Sequence, residues 1–175
     1  ITLYGGYKKE FGETAYSDIY TFTIPAPGET DFTALIFNDL HKNAVTMGKF
    51  GELLKKTGIA YDFVVFNGDC IANPTDEQDA VGFLSCMNEN AAAEKVPVFY
   101  IPGSHEIRDA YSIRLHEIFD YVGGKAYGAF NWGDNRIVIL DCGEDKPDTT
   151  RVYYGMNDFE GFRKEQAVFL KNELK

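Results

Sequence analysis

Three short apolar runs, over residues 32–37, 63–66 and 96–101, are separated by stretches whose apolar residues recur at helical spacing, and no other feature limits the fold as tightly. Strand-length apolar runs alternating with amphipathic helices are the signature of layered α/β architecture. Between the first two runs, Val45, Phe50, Leu53 and Leu54 form one stripe of a helix expected over 43–56 and stopped by Gly58. Between the second and third, a helix is expected from Thr75, which has capping-box spacing with Gln78, through Val81, Leu84 and Met87 to Asn90. Beyond the third run the pattern predicts a helix over 108–121 and a hairpin of 127–130 with 136–140 around Gly133-Asp134-Asn135. A final helix is expected over 159–174, capped by Asn157 or Asp158.

The first 24 residues read differently. Tyr20, Phe22 and Ile24 alternate with Thr21 and Thr23, and Gly5, Gly6 and Gly12 punctuate the pieces before them. Pro25-Ala26-Pro27-Gly28 then makes a stiff break. This divides the chain into an N-terminal β segment, 1–27, and a core, 28–175. The segment is either the first hairpin of the domain or the end of a preceding β-sandwich domain. Because the sequence opens at Ile1 with no signal-like region, it is expected to be a processed or excised piece.

Length and charge remove several function classes. A chain of 175 residues suits one domain with a buried core. With 17 basic against 27 acidic residues and a formal charge of -10, and with no basic cluster interleaved with aromatics, a broad grip on nucleic acid is not expected. No apolar run approaches bilayer length. Cys70, Cys86 and Cys142 are too few and too widely spaced for a disulfide framework or a zinc ribbon. If such a chain handles phosphate, something besides its own basic residues must supply positive charge.

The chemistry is concentrated after the strands. The first run ends in Asn38-Asp39-Leu40-His41, the second in Asn67-Gly68-Asp69 and the third in Gly103-Ser104-His105-Glu106. Ligands of α/β sheets bind beyond the carboxyl ends of the strands, so Asp39, His41, Asp69 and His105 are expected in one cleft. In an extended segment Asp39 and His41 point the same way and can share a cation while Leu40 turns to the core. Asp69 has two oxygens with which to bridge two cations. Mixed carboxylate and imidazole ligands suit zinc, manganese or iron rather than calcium. Arg108 reads as a solvated first-turn arginine or as a phosphate contact, and His116 as an ordinary helix residue.

Asp39-Leu40-His41, Gly68-Asp69 and Gly103-Ser104-His105-Glu106 together resemble the first three motifs of the calcineurin-like metallophosphoesterases, over about residues 32–141. The resemblance implies a four-layer α/β/β/α sandwich, incomplete at its C-terminal end, with a two-metal centre that cleaves phosphate mono- or diesters. It further implies that Asp39 and His41 bind the first divalent transition metal (Mn, Fe or Zn), that Asp69 bridges both, and that His105 faces the substrate phosphate. Two such cations would supply the positive charge the chain lacks and acidify a water for attack, and His105 would stabilise the developing charge or protonate the leaving oxygen, roles that suit an imidazole.

Two departures bear on activity. Ser104 stands where the family's second-metal asparagine is expected, and a hydroxyl is a shorter and poorer ligand than an amide carbonyl. No histidine follows His116, whereas the family completes its centre with a downstream Gly-His-x-His motif, so the chain is expected to stop short of those ligands. On this reading the 175-residue chain alone is expected to bind metal poorly and to turn over slowly or not at all. The alternative is a non-catalytic binding module on the same fold. Ala72 occupies the position of the tyrosine found in the purple acid phosphatase branch, so no coloured iron-tyrosinate centre is expected. The β-rich start resembles the end of the β-sandwich that precedes the catalytic domain in exported proteins of that branch, which implies a location outside the cytoplasm.

Overall fold

The computed structural model describes residues 2–3, 6–8, 14–91, 94–119, 121 and 124–175. In the N-terminal segment β1 (Thr2–Leu3) pairs antiparallel with β4 (Tyr20–Thr21), and β2 (Gly6–Lys8) with β3 (Thr14–Tyr16). From there the chain crosses to the core. Its backbone meets the later hairpin turn, where Asp134 N–H donates to the Glu29 carbonyl at 2.8 Å and Gly28 N–H to Asp134 Oδ1 at 2.9 Å.

The core opens with β5 (Ala34–Phe37), β6 (Phe63–Asn67) and β7 (Val98–Ile101), a parallel sheet in the order β5-β6-β7. Two successive crossovers in one direction place their helices on one face when both are right-handed. Those helices, α1 (Ala44–Thr57) and α2 (Glu77–Ala91), pack against each other. Asn43 caps α1 by accepting from Thr46 N–H, and Gly58 ends it in the left-handed conformation with φ 62°. The cap of α2 is Asp76 rather than Thr75. Asp76 Oδ1 accepts from Asp79 N–H at 2.9 Å, while Thr75 lies outside the helix and donates to the Asp79 carboxylate.

Pleat alternation then assigns the two faces of the sheet. Phe37, Val64 and Phe66 join Met47, Ala80, Phe83 and Met87 in a continuous core beneath the helices. Phe63 and Phe99 point the other way, toward β8 (Gly128–Trp132) and β9 (Asn135–Ile139), an antiparallel hairpin. The Phe63 ring lies 4.9 Å from Trp132, and Phe99 stacks 4.1 Å from Phe130. Beyond the hairpin lies α3 (Phe159–Glu173), capped by Asp158, with Phe162 and Phe169 against Tyr127. Helices, parallel sheet, hairpin and α3 thus stack as α/β/β/α. The hairpin covers β6 and β7 but leaves Ile36 on β5 63% exposed.

The described residues of the 108–121 stretch do not form the expected α-helix. Among the described residues only a 3₁₀ segment, Ser112–Glu117, is helical there. Tyr111 and Leu115 supply its buried contacts and His116 is exposed, so the apolar residues anchor one short turn rather than a full stripe. No helix among the described residues is long and apolar enough to cross a membrane.

Candidate metal centre

All three parallel strands deliver their following loops to one edge of the sheet. The loop after β5 is laced to the loop after β6 by backbone bonds from Asp39 N–H to the Gly68 carbonyl, His41 N–H to the Asp69 carbonyl and Lys42 N–H to the Cys70 carbonyl, at 2.9–3.2 Å. Asp39, His41 and Lys42 have φ of 53°, 46° and 54°, and Asp69 has φ 52°. The expectation that Asp39 and His41 share a face because the segment is extended is therefore corrected. The strand ends at Phe37, and left-handed conformations at Asp39 and His41, on either side of Leu40, turn the two side chains together instead. Four non-glycine residues in this region at one strand edge store backbone strain of the kind that clusters at functional sites.

Gly68 and Gly103 allow the β6 and β7 loops to touch. A Cβ on Gly68 would lie 3.2 Å from Gly103 Cα, and one on Gly103 would lie 2.5 Å from the Asp69 nitrogen and collide with its carboxylate. That approach lets Asp69 Oδ1 accept from His105 N–H at 2.8 Å. The result is a triad: ligand atoms of His41, Asp69 and His105 all lie within 4.8 Å of one another. Asp39 joins from the side, its Oδ1 3.4 Å from His41 Nε2, with its side chain 71% exposed. The Ser104 hydroxyl lies 3.5 Å from Asp69 Oδ2. All five residues singled out in the sequence thus meet at one place.

Two acidic residues that sequence reasoning left without a role frame this cluster. Glu106, 1% exposed, accepts from the backbone N–H groups of Asp69 (2.9 Å), Ile71 (2.6 Å) and Gly103 (2.8 Å) and from the Tyr100 hydroxyl (2.8 Å). Burial, then the Glu106 charge, raises the Tyr100 phenol well above its ordinary value. Glu144, in the loop between β9 and α3, pairs through Oε2 with Arg108 Nη2 at 2.9 Å and through Oε1 with Lys146 Nζ at 3.1 Å. Burial opposes its charge, but the Asp145 hydrogen bonds and the Lys146 and Arg108 cations prevail and hold the carboxyl at about 2. Glu106 had a sequence signal in its place as the last residue of the third motif. Glu144 had none, because its partner lies 36 positions away.

The donor set fits one divalent transition metal. Two imidazoles and a carboxylate converge there, with a second carboxylate beside them, which is the chemistry borderline cations prefer. For a second cation the described residues offer the remaining Asp69 oxygen and the Ser104 hydroxyl, and no other group of three or more His, Cys, Asp or Glu ligands is found among them.

A parallel sheet with helices on one face, a hairpin layer on the other and a carboxylate–imidazole cluster at the strand ends defines a class: the metal-dependent phosphoesterase sandwich. The profile of the calcineurin-like phosphoesterases matches residues 32–172, and the chain belongs to that family. Among solved structures it is similar to a purple acid phosphatase, PPD1, from yellow lupin (Lupinus luteus) seeds, at 16% identity with a TM-score of 0.54. The match covers 86% of this chain and 32% of the lupin chain, so the likeness speaks for the fold. No curated protein matches the sequence.

Proposed function

We propose that this chain carries the catalytic core of a metal-dependent hydrolase of phosphate mono- or diesters. The observation that supports it most directly is the convergence of His41, Asp69 and His105 within 4.8 Å, from three different strand ends. Asp39, His41 and Asp69 would hold the cation, with a His105 ring nitrogen within reach of the same point. When bound, a divalent ion there supplies positive charge against phosphoryl oxygens and lowers the pKa of water. A second ion of the pair, if bound, draws on Asp69 and Ser104.

His105 does the work of orientation and proton transfer. Its backbone N–H fixes Asp69, and its ring is held between Asn73 Oδ1, 3.2 Å from Nδ1, and Arg108 Nη1, 3.2 Å from Nε2, beside the place a substrate phosphate would take. In its imidazolium form such a ring could pass its proton to the leaving oxygen, which would depart as the alcohol. Because the chain spans about a third of the lupin protein, the activity of any longer protein containing it is part of the same proposal.

The test is a Mn2+ titration of the chain followed by electron paramagnetic resonance, with hydrolysis of p-nitrophenyl phosphate and its bis-ester measured alongside. At least one ion is expected to bind, and His41→Ala and Asp69→Asn should each weaken it by roughly tenfold or more. Absence of any specific Mn2+ site, or indifference of that site to both substitutions, overturns the reading. Ser104 supports a second reading, a binding module that has lost turnover. Ser104→Asn separates the two: a rise in hydrolysis marks a tuned enzyme, and unchanged null activity with metal bound marks a binding role.

A further inference from the structure

Among the described residues Arg108 is the one guanidinium that touches the triad, and its side chain, 36% exposed, is held there by its partners. Its Nη1 lies 3.2 Å from His105 Nε2 and 3.4 Å from Nδ1, and its Nη2 lies 3.4 Å from Ser104 Oγ and 2.9 Å from Glu144 Oε2. The far end of that pair is rigid. Glu144 has a side chain only 4% exposed, and Arg163 Nη1 donates to the Cys142 and Glu144 carbonyls at 3.2 and 3.1 Å. Just upstream, Gln166 of α3 accepts from Asp141 N–H and donates to its carbonyl. A carboxylate this dry is stabilised only by good partners, so Glu144 and Arg108 hold each other in place.

Beyond Arg108 opens a cleft of about 650 Å³ between the loop after β7 and the loop before α3. Its other cations are engaged: Lys146 is shared between Glu144 and Asp145, and Arg163 donates to carbonyls. Arg108 differs, because its Nη1 edge meets an imidazole rather than an acid. A guanidinium presents a planar fork that matches two phosphate oxygens, and it loses less freedom on binding when it is already oriented.

We propose that Arg108 is the phosphate-binding cation of this centre, that Glu144 positions it, and that the rest of the ester sits in the cleft beyond. The inference rests on the phosphoester reading above and assigns a residue that the metal-ligand pattern does not include. It also supplies, from the chain's own residues, positive charge at a site in a protein of net charge -10.

The experiment titrates the full chain with inorganic phosphate by calorimetry, with and without Mn2+, alongside the Mn2+ titration itself. Arg108→Ala is expected to weaken phosphate binding by roughly ten- to a hundredfold while leaving Mn2+ affinity unchanged. Arg108→Lys should restore only part, because an ammonium cannot hold Glu144 and a phosphate with one planar fork. Glu144→Gln should weaken phosphate binding in the wild-type background and have no further effect in Arg108→Ala, the non-additivity expected of a residue acting through another. A merely structural Glu144 would lower both backgrounds alike, and that outcome overturns its positioning role. Equal phosphate affinity in wild type and in both Arg108 variants overturns the assignment of Arg108. Loss of Mn2+ binding by the wild-type chain instead strikes the phosphoester reading, and the metal-free phosphate titration then judges Arg108 separately. Should Arg108→Ala fail to fold, Arg108→Lys and Glu144→Gln carry the comparison.

Discussion

Glu106 and Glu144 both lie almost wholly out of water beside the triad, one at the junction of β6 and β7 and the other in the loop before α3, yet their partners have little in common. Glu106 gathers three backbone N–H groups and a tyrosine hydroxyl, all neutral, from both strand-end loops. Glu144 gathers two cations and one neighbouring N–H. A carboxylate saturated by backbone donors fixes main-chain positions, and so sets the separation of Asp69 from His105. A carboxylate paired with arginine fixes one side chain. The first arrangement belongs to the geometry of the centre and the second to what the centre can hold.

The largest effect should therefore come from Glu106. Glu106→Ala leaves three backbone donors without an acceptor in a closed space, and each unsatisfied buried donor costs about 1–3 kcal/mol. A loss of about 3–5 kcal/mol is expected by urea denaturation, a large share of a domain's usual 5–15 kcal/mol or so. Gly103→Ala should come next. Its Cβ would lie 2.5 Å from the Asp69 nitrogen, backbone that has no room to yield. Overpacking of this kind costs about 1–3 kcal/mol, and Mn2+ affinity should fall with it because Asp69 must move. If Gly103→Ala left metal binding intact, the close approach of the two loops would not be what sets the triad.

These two positions also mark how far the sequence could be read. The alternation of apolar runs placed all three parallel strands and α1, α2 and α3, because burial of both sheet faces leaves a pattern in local composition. Asp39, His41, Asp69, Ser104 and His105 were legible for the same reason: each directly follows an apolar run, and strand ends converge. What escaped was conformation and long-range pairing. No pattern announces that Asp39, His41 and Asp69 take positive φ, so side chains expected to align along an extended strand were right in company but wrong in cause. The stretch around Leu115 carried helical spacing, yet tertiary contacts stabilise only a short 3₁₀ turn. The Arg108–Glu144 pair joins two loops that no local signal connects.

A smaller effect sharpens the comparison through pH. The Glu144 carboxyl sits at about 2 in the folded chain against an ordinary value of 4.5. A depressed pKa contributes stability that is fully present above the ordinary value and is lost as pH falls through the folded one. Glu144→Gln should therefore cost about 1.5 kcal/mol near neutrality, the low end of what hydrogen bonds to charged groups contribute. It should also make the loss of stability between roughly pH 4.5 and pH 2 shallower than in the wild type. Other carboxylates lowered by surface pairs, such as Glu117 beside Arg114, titrate equally in both proteins and cancel in the difference. Parallel acid-unfolding curves for the two proteins would show that Glu144 is not held by its cations and would remove the contrast with Glu106.

The smallest effect is expected at His116, and it guards the metal titration. Of the three histidines, His41 and His105 belong to the triad, while His116 is exposed on the 3₁₀ turn whose buried anchor is Leu115. Exposed substitutions away from caps, cavities and charge networks change stability by no more than about 0.5 kcal/mol. His116→Ala should accordingly leave both the unfolding midpoint and the Mn2+ signal where they are. Any imidazole signature that survives in His41→Ala but disappears in His41→Ala/His116→Ala would come from metal scavenged at the surface. The difference between those two titrations separates a cation held at the strand ends from one bound wherever a histidine is exposed.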